Sequence, residues 1–227
     1  MKPIISLYDE SGNMLRPWAA AGFTCYAYDI RNSNRTEYAG KGAIIYRHAD
    51  LRSEVIHEEI ITLNPRVLFG FPPCDDLAVC GAKHFQAKFE ANANYLKEAM
   101  ELVYVIPKLA NKIGCAYAFE NPVSRIATLF RKPNFIFNPY EFGGYLPEDD
   151  KHPRWPEYIK PRDAYPKKTC IWSGNGFNIP IKKPVAVAPG YSDQFKLLGG
   201  KSAKTKQIRS ETPRGFAKAA FIFNSWC

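Results

Sequence analysis

The sequence predicts an α/β fold, an open sheet with parallel strands and helical crossovers, followed by a smaller basic region. Short apolar runs at 4–8, 23–28, 44–46, 67–69 and 115–119 alternate with helical spacing at 14–21, 53–63 and 85–112. That rhythm belongs to strand–helix–strand units. It stops near residue 134, where Pro139, Gly143, Gly144, Pro147 and Pro153 interrupt any long element and basic residues begin to accumulate. The expected organisation is an α/β core over 1–133, a small basic region over 134–208 and a C-terminal helix over 209–227 that returns to the core.

The first strand, Ile4-Ile5-Ser6-Leu7-Tyr8, runs into the turn cluster Asp9-Glu10-Ser11-Gly12-Asn13. A short helix follows from Met14, closed by Gly22, and the second strand ends at Asp29. Strand, glycine turn, helix, strand and acid form a nucleotide-binding half-unit, with Asp29 lying 17 residues past Gly12. That is near the spacing of a ribose-binding carboxylate. After the third strand, Asp50 either contacts a base or caps the helix over 53–63. The long pattern over 85–112, with Phe89, Ala93, Leu96, Met100, Val103 and Leu109 at helical spacing, reads as one core helix kinked at Pro107 and capped by Gly114. Thr169–Trp172 reads as a strand, 199–206 as a flexible basic loop, and Thr212-Pro213 as the start of the last helix.

The chain is organised around Gly70-Phe71-Pro72-Pro73-Cys74. It follows the apolar run Val67-Leu68-Phe69. Two prolines stiffen the exit from that strand and remove two amide donors. They set a thiol at the strand's carboxyl end, where open α/β sheets bind ligands. The residues alone leave two readings open, a placed nucleophile or a small buried cysteine. Glu120-Asn121-Pro122-Val123 ends the next predicted strand, 46 residues after Cys74. A helical crossover between parallel neighbours brings both clusters to one sheet edge.

The 227 residues are 46% hydrophobic, with no apolar run approaching a membrane span. The N-terminal residues enter a strand pattern at once and do not read as a secretory signal, so a cytoplasmic protein with free thiols is expected. Six cysteines without Cys-x-x-Cys spacing predict no metal site. The net charge of +9 is uneven: residues 1–150 hold 16 Lys and Arg against 18 Asp and Glu, whereas 151–227 hold 15 against 4. A polyanion partner, nucleic acid above all, follows from that asymmetry. Lys167, Lys168, Lys201, Lys204, Lys206 and Arg209 are the candidate phosphate contacts.

Taken in order, these pieces resemble the DNA cytosine-5 methyltransferases, most closely their small bacteriophage-type members. The carrying residues are Ser6–Gly12, Asp29, Asp50, Phe71-Pro72-Pro73-Cys74 and Glu120-Asn121-Pro122-Val123. The resemblance covers 4 to about 131, and less specifically the chain from Arg209 onward. It implies a Rossmann-like methyltransferase fold with S-adenosylmethionine as cofactor. Tyr8, Asp9, Gly12, Asn13, Met14, Asp29, Ile30, Asp50, Leu51 and Pro72 would line the cofactor's site, with Asp29 on the ribose and Asp50 near the adenine. It further implies Cys74 as the nucleophile on carbon 6 of cytosine and a protonated Glu120 on ring nitrogen 3, acting on a flipped or single-stranded base.

The chain departs from that family in two places. Lys167-Lys168-Thr169 stands where Gln-x-Arg-x-Arg is usual, and only about 40 residues, 169–208, separate it from the C-terminal segment. A low or short-loop sequence specificity follows. Three further readings stay open: a modified donor such as carboxy-S-adenosylmethionine, with Arg16 receiving its carboxylate; a free cytosine nucleotide as substrate; and a DNA-binding protein of this fold without activity.

Overall fold

Val67, Leu68, Phe69 and Gly70 are all buried, the pattern of a strand flanked on both sides and covered on both faces. In a computed structural model, which describes residues 1–190, 192–199 and 202–226 and of Cys80 the backbone alone, this segment lies near the middle of an eight-stranded mixed sheet. The strands are β1 (Ile4–Leu7), β2 (Thr24–Asp29), β3 (Arg35–Ala39), β4 (Gly42–His48), β5 (Val67–Gly70), β6 (Ala116–Pro122), β7 (Phe135–Phe137) and β8 (Thr169–Gly174). Their order is β3-β4-β2-β1-β5-β6-β8-β7. Neighbours among β4, β2, β1, β5 and β6 are parallel, while β3 and β8 run antiparallel to β4 and β6.

The chain travels from β1 outward to β2 and β4, then crosses to β5 on the other side of β1. The strand order therefore reverses between β1 and β5, where doubly wound sheets open a crevice at their carboxyl ends. Register aligns those ends: Leu7 pairs with Tyr28 and Gly70, Asp29 with His48, and Gly70 with Phe119.

Helices α1 (Arg16–Ala20), α2 (Glu54–Leu63), α3 (Phe85–Ala91), α4 (Tyr95–Ile113) and α5 (Ile126–Leu129) complete the first of two compact units, Met1–Ile136 with Thr169–Phe177. The single helix expected over 85–112 is two. Asn92 leaves helical geometry at φ −152°, and its side chain accepts from the Asn94 N–H (2.9 Å) and donates to Glu98 (3.1 Å). An Asn side chain that satisfies nearby polar groups outside the helix favours such a break. The core stripe therefore starts later: Met100, Val103, Ile106 and Leu109 are buried, whereas Phe89 is exposed. Each fully buried side chain of this kind contributes about 1.5–3 kcal/mol. α4 comes so close to β5 that a Cβ at Gly70 would run into Ile106. Gly114, at φ +76°, caps α4 as expected. β3 was not expected; it pairs with β4 through a two-residue turn at Gly40-Lys41.

The second unit comprises Phe137–Lys168 and Asn178–Cys227, and so includes the last helix. Its helices are α6 (Asp193–Leu197), α7 (Ala203–Ser210) and α8 (Arg214–Asn224). The flexible basic loop expected over 199–206 is, from Ala203 onward, the start of α7. Ser202 caps it by accepting from the Thr205 N–H at 3.1 Å, and Thr205 and Ile208 are buried. Phe137 stacks on Phe216, and Phe142 meets both rings edge-on, in one aromatic cluster. The start of α8 is held by a bidentate ion pair from Arg214 to Asp150 (2.8 and 2.6 Å) and by Asp163 accepting from the Gly215 N–H (2.9 Å).

His152, 3% exposed in this unit, accepts from the Trp155 N–H at 2.9 Å. Burial lowers its pKa to about 4. The unfolded chain takes up that proton near pH 6.5 and the folded chain near 4. Its contribution is therefore complete above the unfolded value and is lost as pH falls between the two. His152→Asn keeps an acceptor for Trp155 and removes the titration. Relative to wild type, the variant is expected to gain up to about 3 kcal/mol of stability between pH 7 and pH 4. Urea titrations at both pH values check this, and a pH-independent difference refutes it.

Candidate functional site

Three segments meet at the carboxyl edge of the sheet beside the reversal. The first is the turn after β1. Tyr8 takes a left-handed conformation at φ +58° and Gly12 follows at φ +67°. Asp9, 3% exposed, organises this turn. One carboxylate oxygen accepts from the Ser11 N–H (2.9 Å), the Ser11 hydroxyl (3.0 Å) and the Gly12 N–H (2.7 Å), and the other from the Ser6 hydroxyl (2.8 Å). Burial raises its pKa against these four bonds. Asp9 thus uses both oxygens inside the turn. A Cβ on Gly12 would strike the Tyr46 hydroxyl, which itself bonds Ser11 O (3.2 Å) and Glu37 (3.1 Å). Asn13 and Met14 are buried behind the turn. Tyr8 donates to Leu102 O at 2.8 Å, and burial, then the charge of Asp50, raises its pKa.

The second segment is formed by the ends of β2 and β4. Asp29 is 5% exposed, and its Oδ1 accepts from the Arg31 N–H at 2.7 Å. Its Oδ2 takes no hydrogen bond from the described residues. Ile30 beside it is exposed, and Leu51 is buried. Asp50 is not the cap of α2. The N-cap of α2 is Ser53, and both Asp50 oxygens accept from Arg52 (2.6–3.1 Å), which holds the carboxyl below its ordinary range. Arg16, considered above as a carboxylate receiver, pairs with Glu37 of β3.

The third segment joins the two motifs. β5 ends where Phe71 donates its N–H to Leu7 O (3.0 Å). Pro72 is buried, and Cys74 is half-buried at the turn. The Cys74 carbonyl accepts from the Leu77 and Ala78 amides (3.0 and 2.8 Å). Glu120, also half-buried, stands one residue past Phe119, the partner of Gly70. The chains around them are stitched together. Asn121 Nδ2 donates to Pro72 O (2.9 Å), the Val79 N–H to Val123 O (3.0 Å) and the Arg125 N–H to Leu77 O (2.9 Å). Arg125 also donates to the Tyr95 hydroxyl (3.2 Å).

The cysteines divide by environment. Burial pushes the Cys25 thiol up to about 12 and Cys115 to about 11, too high for a thiolate near neutral pH. Cys74 is the one described thiol that is not buried.

Among the candidate phosphate contacts, Lys201 lies outside the described residues. Lys167 donates to Arg209 O (2.8 Å), Arg209 to Leu198 O (2.8 Å), and Lys204 to the Tyr158 hydroxyl (3.3 Å) while facing the rings of Tyr158 and Trp155. Lys168 and Lys206 are exposed. These cations lie in the second unit, which carries 15 Lys and Arg against 8 Asp and Glu; the first carries 16 against 14. The charge asymmetry is milder than a cut at residue 150 suggests, because Glu141, Glu148, Asp149 and Asp150 belong to the basic unit.

Sequence reasoning did not single out the Arg16–Glu37–Tyr46 network or the role of Asn121. A tyrosine in a strand and an asparagine beside an acid carry no local signal of partners 35 and 49 residues away. Among the described residues no group of three or more His, Cys, Asp or Glu is arranged to hold a metal, and no helix is long and apolar enough to cross a membrane. No protein-family model matches the chain, and no curated protein matches it.

Proposed function

We propose that this chain is a DNA cytosine-5 methyltransferase of Rossmann-like fold that uses S-adenosylmethionine. The observation that carries the reading is the pairing of the Cys74 turn with the Glu120 turn on adjacent parallel strands, hydrogen-bonded to each other and next to the strand-order reversal. A thiol and a carboxyl so arranged suit addition to an electron-poor ring.

The residues at the reversal fit the cofactor. Asp29 keeps one oxygen without a donor among the described residues, the acceptor that ribose hydroxyls require. The Tyr8–Gly12 turn and the exposed Ile30 flank it in sequence and register. Bound S-adenosylmethionine supplies an electrophilic methyl group. The chain supplies the rest. The Cys74 thiolate adds to carbon 6, and Glu120 gives a proton or hydrogen bond to nitrogen 3 as charge builds there. Carbon 5, made nucleophilic by that addition, would take the methyl group as the methyl–sulfur bond of the sulfonium breaks and its electron pair returns to sulfur, leaving the neutral thioether. Loss of the carbon 5 proton to a base re-forms the double bond and expels the Cys74 thiolate. The basic second unit supports a nucleic-acid substrate over a free nucleotide.

Mass spectrometry of nucleosides from DNA incubated with protein and S-adenosylmethionine tests the reading. 5-Methylcytosine is expected. Unmodified cytosine over the full assay, with cofactor bound, refutes methyl transfer to DNA. Asp29→Ala is expected to weaken S-adenosylmethionine binding by about 1.5–3 kcal/mol, the loss of a charge-assisted hydrogen bond. Wild-type affinity by calorimetry would remove Asp29 from the site.

A further inference from the structure

Cys74 is pinned on both sides by the chain that carries Glu120. Three residues after it, Leu77 O accepts from the Arg125 N–H, and Val79 donates to Val123 O. Two residues before it, Pro72 O accepts from Asn121 Nδ2 at 2.9 Å. The later bonds are backbone bonds, which most substitutions leave in place. The earlier one depends on a single side chain. Asn121 is 1% exposed, and its own backbone is paired with Cys170 in β8. Pro72 O has no other donor among the described residues, and Pro73 brings no N–H to the turn. Asn121 Oδ1 has no partner among the described residues. A buried amide with one end unsatisfied is retained against a cost, which points to a task for the end that is bonded.

We propose that Asn121 is the positioning residue of this site: its side-chain N–H holds the Pro72 carbonyl and so sets where the Cys74 thiol stands beside Glu120. The use of that thiol in methyl transfer rests on the function proposed above, whereas its placement by Asn121 does not. An alanine removes the donor. An aspartate keeps the shape, offers no donor when ionised and regains one when protonated.

The test is the rate of iodoacetamide alkylation at Cys74, read by peptide mass spectrometry across pH in wild type, Asn121→Ala and Asn121→Asp. Amide exchange over 71–78 and the thermal midpoint accompany it. The Cys74 rate in Asn121→Ala is expected to change by about 5-fold or more, the scale of one lost hydrogen bond, with faster exchange around Cys74. Asn121→Asp is expected to differ from wild type at pH about 8 and to approach it at pH about 5, where a buried carboxyl is protonated. A lower thermal midpoint with alkylation within twofold of wild type in both variants at every pH overturns the proposal. If the alanine variant does not fold, the pH comparison of the aspartate variant decides alone. Altered alkylation in a protein whose wild type transfers no methyl group keeps the positioning role and refutes the proposed function.

Discussion

Replacing Cys74 with Ser is expected to lower methyl transfer to cytosine by at least about 10⁴-fold, the scale on which loss of a nucleophile acts. The hydroxyl is of similar size, so the turn should survive. The Cys74 carbonyl accepts from Leu77 and Ala78, and Asn121 holds Pro72, all without the sulfur. What is lost is the sulfur, which is a stronger nucleophile than a hydroxyl and a better leaving group from the ring. A serine hydroxyl would need a partnered base to activate it. The same variant should form no covalent adduct with DNA containing 5-fluorocytosine, whereas under the proposed function the wild-type protein should be trapped on it, because fluorine blocks the final elimination. The remaining described cysteines cannot substitute, because Cys25, Cys115 and Cys170 are buried. A gel-stable adduct in Cys74→Ser would show that another residue attacks the ring.

The parts of this chain that were legible in its sequence are those whose cause is local. Val67-Leu68-Phe69 before two prolines announces a buried strand and a stiff exit, and β5 ends at Gly70. Gly12, Gly114 and Asp29 announce a turn, a cap and a strand end in the same way. Illegible parts depend on distant partners. β3 is a largely exposed strand, Arg35-Thr36-Glu37-Tyr38-Ala39, without an apolar alternation to reveal it. Its place comes from pairing with β4 and from the Glu37–Arg16 ion pair. The break at Asn92 follows from one side chain that competes with helical bonds inside an otherwise helical pattern. The segment 199–206 is rich in glycine and lysine, which masked the Ser202 cap and the buried Thr205 and Ile208 of α7. Within the site, the types and spacing of Cys74 and Glu120 were readable, but the bonds that stitch their turns together were not.

Glu120→Gln should separate proton supply from shape. The amide is nearly isosteric with the acid and can still donate a hydrogen bond to ring nitrogen 3, but it cannot transfer a proton there. Single-turnover methyl transfer is expected to fall by about 10²-fold or more, a typical general-acid contribution. Adduct formation with 5-fluorocytosine DNA should slow in parallel, because charge on nitrogen 3 builds during attack by Cys74. Cofactor affinity should be unchanged. Glu120 lies on β6 and Asp29 on β2, with β1 and β5 between them, a separation of about 14 Å at the usual strand spacing. Position should survive as well, since Asn121, Val123 and Arg125 make bonds that hold the turn and a glutamine keeps the size of the side chain. An unchanged single-turnover rate in Glu120→Gln would reduce Glu120 to a structural residue. It would leave Cys74 attacking a ring whose charge is neutralised by some other donor, and Arg125, the nearest cation along that loop, would be the residue to replace next.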